Sequence, residues 1–310
     1  MKIIASQNID LNTKERCSSG GIFPLLAKHI IQKNGIVYGA SFDHNFDVNH
    51  IAVDNINDLE KLYSSKYTLG KCSVFPEIKE NLEKNIPVLF SGLPCQVFAL
   101  KQYLKKDYDN LYIVDLICHG TPGANIWKDY RESVSKGRQI QNINFRDKGN
   151  GWSRYGIRIK FTNGSEYYKN HNFDPYMRAL IDNLALSGGC YKCKNKGLEN
   201  RLSDITLGDL WGAKSLAPEL FDDMGTSLLF INTPKGEQLF SEISENVKSA
   251  DIDGKKAVAI NSSAVKTAKK NRYTDRFFTE YKSGKALLPL LKKYMYLNLF
   301  RKLVSKITKK

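Results

Sequence analysis

Val88-Leu89-Phe90-Ser91-Gly92-Leu93-Pro94-Cys95-Gln96 and, a helical interval later, Leu111-Tyr112-Ile113-Val114-Asp115-Leu116-Ile117-Cys118-His119-Gly120-Thr121-Pro122 decide the fold. Each opens with an apolar run short enough for a buried strand and breaks at small residues and proline. Helical spacing then resumes, over residues 95–104 and again over 125–134. Pro94 suits the first turn of its helix, where the N–H that it lacks would have no intrahelical partner. Strand, turn, helix in two successive rounds predicts an α/β layer with a partly parallel sheet. Its ligands would gather beyond the carboxyl ends of the strands.

Upstream, Ile22, Leu25, Leu26 and Ile30 share one helical face over residues 21–33, strands are expected at 36–42 and 50–54, and residues 76–84 read as helix. After residue 135 the chain changes character. Short alternating strands are expected at 140–145, 155–161 and 166–169, with Asn163-Gly164 as a hairpin turn. Helical spacing returns over 175–186, followed by Cys190-Tyr191-Lys192-Cys193, strands at 204–207 and 227–232, and a helix over 235–247. Beyond Asn261 the chain reads as helix, and after Pro289 the residues Leu290, Tyr294, Leu297, Phe300, Val304 and Ile307 recur at helical spacing. The expected class is mixed α/β (α+β): a partly parallel sheet with flanking helices, a second module of short strands with a cysteine loop, and C-terminal basic helices. The expected division is an α/β module over 1–135, a Cys-x-x-Cys module over 136–255 and a basic helical tail over 256–310.

The 310 residues, 42% hydrophobic and 25% charged, exclude a disordered chain, a collagen-like repeat and a coiled-coil rod. Net charge is +15, and the nine Lys and Arg residues from Lys282 onward, with no acid among them, carry +9 of it. The final helix reads first as packing on the body with its lysines solvated; contact with a membrane surface or a docking partner is the alternative. No helix-turn-helix or aromatic-interleaved basic motif accompanies the charge, so specific nucleic-acid binding is not expected. Residues 1–16 show no signal-peptide pattern, and Lys292 and Lys293 interrupt the apolar run 287–300, so a cytoplasmic protein is expected. In that reducing compartment the six cysteines read as thiols, metal ligands or redox groups rather than disulfides.

Cys95 follows a Gly-Leu-Pro turn, Cys118 ends the next strand, and Cys190 and Cys193 share a loop after Gly188-Gly189. Loops at neighbouring strand ends lie side by side, so four sulfurs can converge into the ligand set of an iron–sulfur cluster or a tetrahedral zinc ion. Structural zinc uses two paired knuckles, whereas here one pair joins two lone cysteines, which favours iron–sulfur. Against this stands the plain reading of Cys95 and Cys118 as small buried hydrophobes and of the pair as a redox dithiol. Cys17 and Cys72 lack a partner pattern. Ser18-Ser19-Gly20-Gly21, at a helix start, is either an anion cradle or simply a good cap. Trp211 reads either as a core aromatic or as a wall against a planar ring.

Taken in order, Ser-Ser-Gly-Gly-Ile-Phe at 18–23, Ser-Lys-Tyr at 65–67, Leu-Phe-Ser-Gly-Leu-Pro-Cys-Gln at 89–96 and Asp-Leu-Ile-Cys-His-Gly-Thr-Pro at 115–122 form one set. It continues with Asn-Phe-Arg-Asp-Lys at 144–148, Cys-Tyr-Lys-Cys at 190–193, Ser-Asp-Ile-Thr-Leu-Gly-Asp-Leu-Trp-Gly at 203–212 and Gly-Thr-Ser at 225–227. The set resembles the coenzyme F420 hydrogenase/dehydrogenase beta-subunit family over roughly residues 15–245. The resemblance implies an FAD-binding iron–sulfur oxidoreductase in which Cys95, Cys118, Cys190 and Cys193 hold a 4Fe-4S cluster that exchanges electrons with the flavin. The cofactor contacts it suggests are Ser18, Ser19, Gly20, Gly21, Ser65, Lys66, Tyr67, Gly92, Pro94, His119, Gly120, Asp209 and Trp211; no catalytic residue is assigned. Many members carry an N-terminal ferredoxin-like segment, whereas here the chain starts close to the Ser-Ser-Gly-Gly turn. A separate ferredoxin or flavodoxin, steered by the basic surface, is the donor this suggests. Similar chains occur among polysaccharide-biosynthesis proteins, and the acceptor stays open, the deazaflavin coenzyme F420 included. The alternative is a zinc-stabilised binding module without redox activity.

Overall fold

The computed structural model describes residues 1–199 and 201–307. In chain order the elements are β1 (Lys2–Asn8), α1 (Leu11–Arg16), α2 (Ile22–Gln32), β2 (Ile36–Phe42), β3 (Val48–Val53), α3 (Phe75–Glu83), β4 (Val88–Gly92), α4 (Pro94–Leu104), β5 (Leu111–Leu116) and α5 (Ala124–Ser135). There follow β6 (Ile140–Asp147), β7 (Gly156–Phe161), β8 (Glu166–Asn170), α6 (Pro175–Ile181), β9 (Ile205–Asp209), α7 (Ala213–Leu216), β10 (Ser227–Ile231), α8 (Pro234–Ser241), β11 (Val247–Asp251), α9 (Gly254–Ile260), α10 (Thr274–Lys282) and α11 (Leu287–Ile307).

An eight-stranded sheet in the order β11-β1-β10-β9-β5-β4-β2-β3 carries the fold. Its centre, β2-β4-β5-β9, is parallel, and antiparallel strands finish both sides. The parallel strands read as apolar runs because helices cover both of their faces. On one face Leu26, Ile30 and Ile31 of α2 and Leu239 of α8 pack on Val37, Leu89, Val114 and Ile205. On the other, α3 and α4 bring Ile78, Leu82, Val97, Leu100 and Leu104 against Tyr38, Phe90 and Ile113. Each such buried side chain contributes about 1.5–3 kcal/mol before conformational entropy is counted.

The expected mixed α/β class with a partly parallel sheet is the observed one. Strands β9, β10 and β11 return to the large sheet from beyond residue 136, so the expected boundary at 135 falls between strands of one sheet. The chain between them adds a three-stranded antiparallel sheet, β6-β7-β8, whose Phe145, Ile157, Ile159 and Phe161 share a core with α5, α6, α10 and α11. The terminal helix therefore packs on the body through Leu287, Leu290, Leu291 and Tyr294. The side chains of Lys302, Lys306, Ile307, Lys309 and Lys310 lie outside the described residues.

Four expectations need correction. Helix beyond Asn261 is interrupted, residues 265–273 being turn and coil before α10. The helix over 175–186 ends at Ile181, because Asn183 turns left-handed at φ 57° and leaves Leu184, Ala185 and Leu186 buried in a non-helical turn. The helix over 235–247 ends at Ser241, and Val247 opens β11 instead. Residues 1–16 contain β1, an interior strand absent from the sequence reading.

Candidate functional site

A cleft of about 670 Å³ opens beyond the carboxyl ends of β2, β4, β5 and β9, with Ala40, Ser91, Gly92, Leu116 and Gly208 among its walls. This is where ligands of open parallel sheets collect. Ser18, Ser19, Gly21, Ser65, Lys66, Tyr67, Gly92, His119, Gly120, Asp209 and Trp211, all expected contacts, line it. Gly20 and Pro94 do not. A Cβ at Gly20 would stand 2.5 Å from the Ser6 carbonyl and 2.7 Å from the Ser227 nitrogen, so β1 and β10 require glycine there for close approach. Pro94 is buried in the first turn of α4.

Hydrogen bonds join the turns into one wall. The Ser65 amide donates to Ser18 Oγ at 2.7 Å, and the two hydroxyls meet at 2.8 Å. Ser19 Oγ donates to the Thr226 carbonyl at 2.8 Å, and the Gly20 amide donates to Ser227 Oγ at 3.0 Å. The serine hydroxyls are thus engaged in holding the loop. No side chain caps the start of α2, where Gly21, Ile22 and Phe23 line the cleft. Lys66 Nζ donates to the Tyr63 and Lys61 carbonyls at 2.8 and 3.1 Å, and burial pushes its ammonium down to about 7. Cys17 also lines the cleft, and burial pushes its thiol up to about 12, the behaviour of an unreactive thiol.

Arg146, which the sequence reading left without a role, organises the floor beneath these turns. Its guanidinium donates to the Ser18 carbonyl at 2.9 Å and to Asp209 Oδ1 at 3.1 Å, and lies 4.0 Å over the Tyr155 ring. Trp152 Nε1 donates to the same two oxygens at 3.2 Å. Trp211 stacks on Trp152 with centroids 4.9 Å apart and planes 9° apart, yet is 44% exposed, which makes it a wall of the cleft rather than a core aromatic. The only sequence signal for Arg146 was its place in Asn-Phe-Arg-Asp-Lys.

Cys118, His119 and Gly120 form the stretch of wall that also meets the cysteine loops. Burial raises the Cys95 thiol, and the Cys193 and Cys190 thiols add to the effect. Burial pushes Cys118 up to about 12, with Cys190 and Cys95 acting in the same direction and Lys196 opposing them. The Cys-x-x-Cys loop lies against the turn after β5, where a Cβ at Gly120 would stand 3.4 Å from Cys190 Cβ. Cys190 Sγ accepts from the Thr121 amide at 3.5 Å, which ties the Cys-x-x-Cys loop to the turn after β5. Lys196, a second residue missed in the sequence, is held beside the sulfurs by the His119 and Lys266 carbonyls at 3.2 and 3.0 Å. Among the described residues no three Cys, His, Asp or Glu side chains are gathered closely enough to grip one metal ion. A single zinc would require sulfurs roughly 3.8 Å apart, from Zn–S bonds of about 2.3 Å in tetrahedral array. His119 Nε2 donates to Asn183 Oδ1 at 2.6 Å, leaving Nδ1 to accept from Ser263 Oγ at 3.2 Å.

An α/β layer with a cleft at the carboxyl ends of its parallel strands, and a cysteine loop held against the turn beside that cleft, places the chain among open-sheet ligand-binding folds. More narrowly, the chain belongs to the coenzyme F420 hydrogenase/dehydrogenase beta-subunit family, whose C-terminal part matches residues 87–255. This is a family of redox-enzyme subunits. The fold is similar to that of a chain in the F420-reducing NiFe hydrogenase complex from Methanosarcina barkeri, solved with xenon derivatization, at a TM-score of 0.56 and 15% identity over 88% of this chain and 96% of that one. No curated protein matches the chain.

Proposed function

We propose that the protein is a flavin-dependent iron–sulfur oxidoreductase, with FAD in the strand-end cleft and a 4Fe-4S cluster on Cys95, Cys118, Cys190 and Cys193. The observation that carries the reading is that the turn after β5 both lines the cleft, through Cys118 and Gly120, and holds the Cys-x-x-Cys loop, the Thr121 amide donating to Cys190 Sγ at 3.5 Å. Bound there, a flavin supplies hydride and single-electron chemistry and the cluster supplies single electrons. The chain's own residues hold and tune the pair. Burial favours the neutral thiol at Cys118, so ligation there releases a proton at neutral pH. The Lys196 ammonium offsets the negative charge of gathered thiolates. The open amides of α2 suit a phosphate, and the exposed face of Trp211 suits a planar ring. A separate ferredoxin or flavodoxin attracted by the basic surface is the donor we propose.

Anaerobic purification followed by quantification of iron, acid-labile sulfide and flavin tests this. Iron and sulfide in equal amounts together with FAD are expected, with Cys193→Ser losing iron while retaining flavin. Folded protein containing zinc and neither iron nor flavin would select a zinc-stabilised binding module instead.

A further inference from the structure

We propose that α11 lays an apolar stripe onto an anionic lipid surface. One side of the helix, through Leu290, Leu291, Tyr294, Met295 and Asn298, is buried against the body, where α11 crosses α5 and α6. On the other side Tyr296 is 62%, Leu297 37% and Phe300 69% exposed. Their spacing places them together on the face turned away from the core. Lys292 and Arg301, both exposed, flank that stripe. Large aromatic side chains left in water along one helical line mark an interaction surface.

Charge selects the occupant. After Glu280 the sequence contains no acid, and nine lysines and arginines follow. A second copy of the chain would bring two such segments together and be repelled. A protein partner would have to place a carboxylate against each basic flank individually. Anionic headgroups instead offer a continuous negative plane, into which apolar side chains insert while Lys and Arg extend sideways to the phosphates. The contact is peripheral, since no helix among the described residues is long and apolar enough to cross a membrane.

Flotation of the purified full-length protein with vesicles tests the assignment. The protein is expected to float with phosphatidylcholine vesicles containing phosphatidylglycerol, to stay behind with phosphatidylcholine alone, and to be released as salt rises. A Tyr296→Ser/Phe300→Ser variant, altered at exposed positions only, should partition about tenfold less or weaker still, with an unchanged circular dichroism spectrum. Equal flotation of the variant and the parent chain would overturn the apolar insertion. Absence of flotation with anionic vesicles, including the case in which an acidic protein is bound instead, would overturn the lipid assignment.

Discussion

The Arg146 guanidinium, from the three-stranded sheet, stands 3.1 Å from the Asp209 carboxylate at the end of β9 in the large sheet, and it reaches the Ser18 carbonyl as well. The arginine side chain is fully buried and the aspartate side chain only 18% exposed, so the pair joins the two sheets beneath the glycine turn. Removing one partner of such a pair leaves an uncompensated charge and costs about 3–5 kcal/mol. Arg146→Met should therefore lower the free energy of unfolding in urea by about that amount, and adding Asp209→Asn should restore part of it. Simple additivity of the two losses would show that the ion pair does not couple the sheets.

Gly120 occupies φ 138°, and a Cβ there would lie 2.8 Å from Leu186 Cδ1 and 3.4 Å from Cys190 Cβ. Gly120→Ala is expected to displace the Cys-x-x-Cys loop, destabilising the fold by about 1–3 kcal/mol and reducing iron per folded molecule. Gly189 adjoins Cys190, has open space around it and an ordinary φ, so Gly189→Ala should retain iron. If both variants load iron equally, the turn after β5 does not position the cysteine loop.

These residues also mark where the sequence is readable. Strands β4 and β5 were legible because burial on both faces demands an unbroken apolar run, and the helix after β4 because Pro94 announces it. Strand β1 was not, since it ends in Ser6, Gln7 and Asn8. These are buried polar residues, two of them satisfied from far along the chain: Ser6 Oγ meets Ser249 Oγ at 3.1 Å and Gln7 Nε2 donates to the Gly225 carbonyl at 2.9 Å. Local pattern cannot report a partner more than two hundred residues away. The glycine and cysteine turns were legible as motifs. Arg146 and Lys196 were not, because a buried cation is distinguished from a solvated one only by what the fold places against it.

Lys66 gives the cleft a specific pH response. Its amine titrates near 7 when folded, against an ordinary 10.5, because burial disfavours the ammonium. Folding therefore carries the full penalty of that charge below pH 7, and the penalty is relieved as pH rises toward 10.5, where the unfolded chain also loses the proton. Relative to Lys66→Met, the wild-type protein should gain up to about 1.4 kcal/mol per pH unit between pH 7 and 9, with little change between pH 6 and 7. Urea unfolding of both chains across that range checks the sign. A difference independent of pH would mean that Lys66 titrates normally.

Glu280 locks α11 to α10 and supplies a response of the same sense in the acid range. Its carboxylate accepts from Lys293 Nζ at 2.8 Å, the Tyr294 hydroxyl at 2.7 Å, Lys285 Nζ at 3.1 Å and Arg276 Nε at 3.1 Å. The Lys293 hydrogen bond above all, then those of Tyr294 and Lys285, hold the carboxyl well below its ordinary 4.5. A carboxyl depressed in this way stabilises the folded state at pH values above that ordinary value, and the contribution fades as pH falls below it. Tyr294 is fully buried, so the clamp reaches the core that α11 shares with α5 and α6. Glu280→Gln should speed hydrogen exchange of the α11 amides at neutral pH, whereas at pH 3 the variant and the parent chain should exchange more nearly alike. Lys285→Gln removes one exposed donor while leaving Lys293 and Tyr294 in place, so its effect should be the smaller. An exchange difference of the same size at both pH values would place the stability of α11 in its apolar contacts alone.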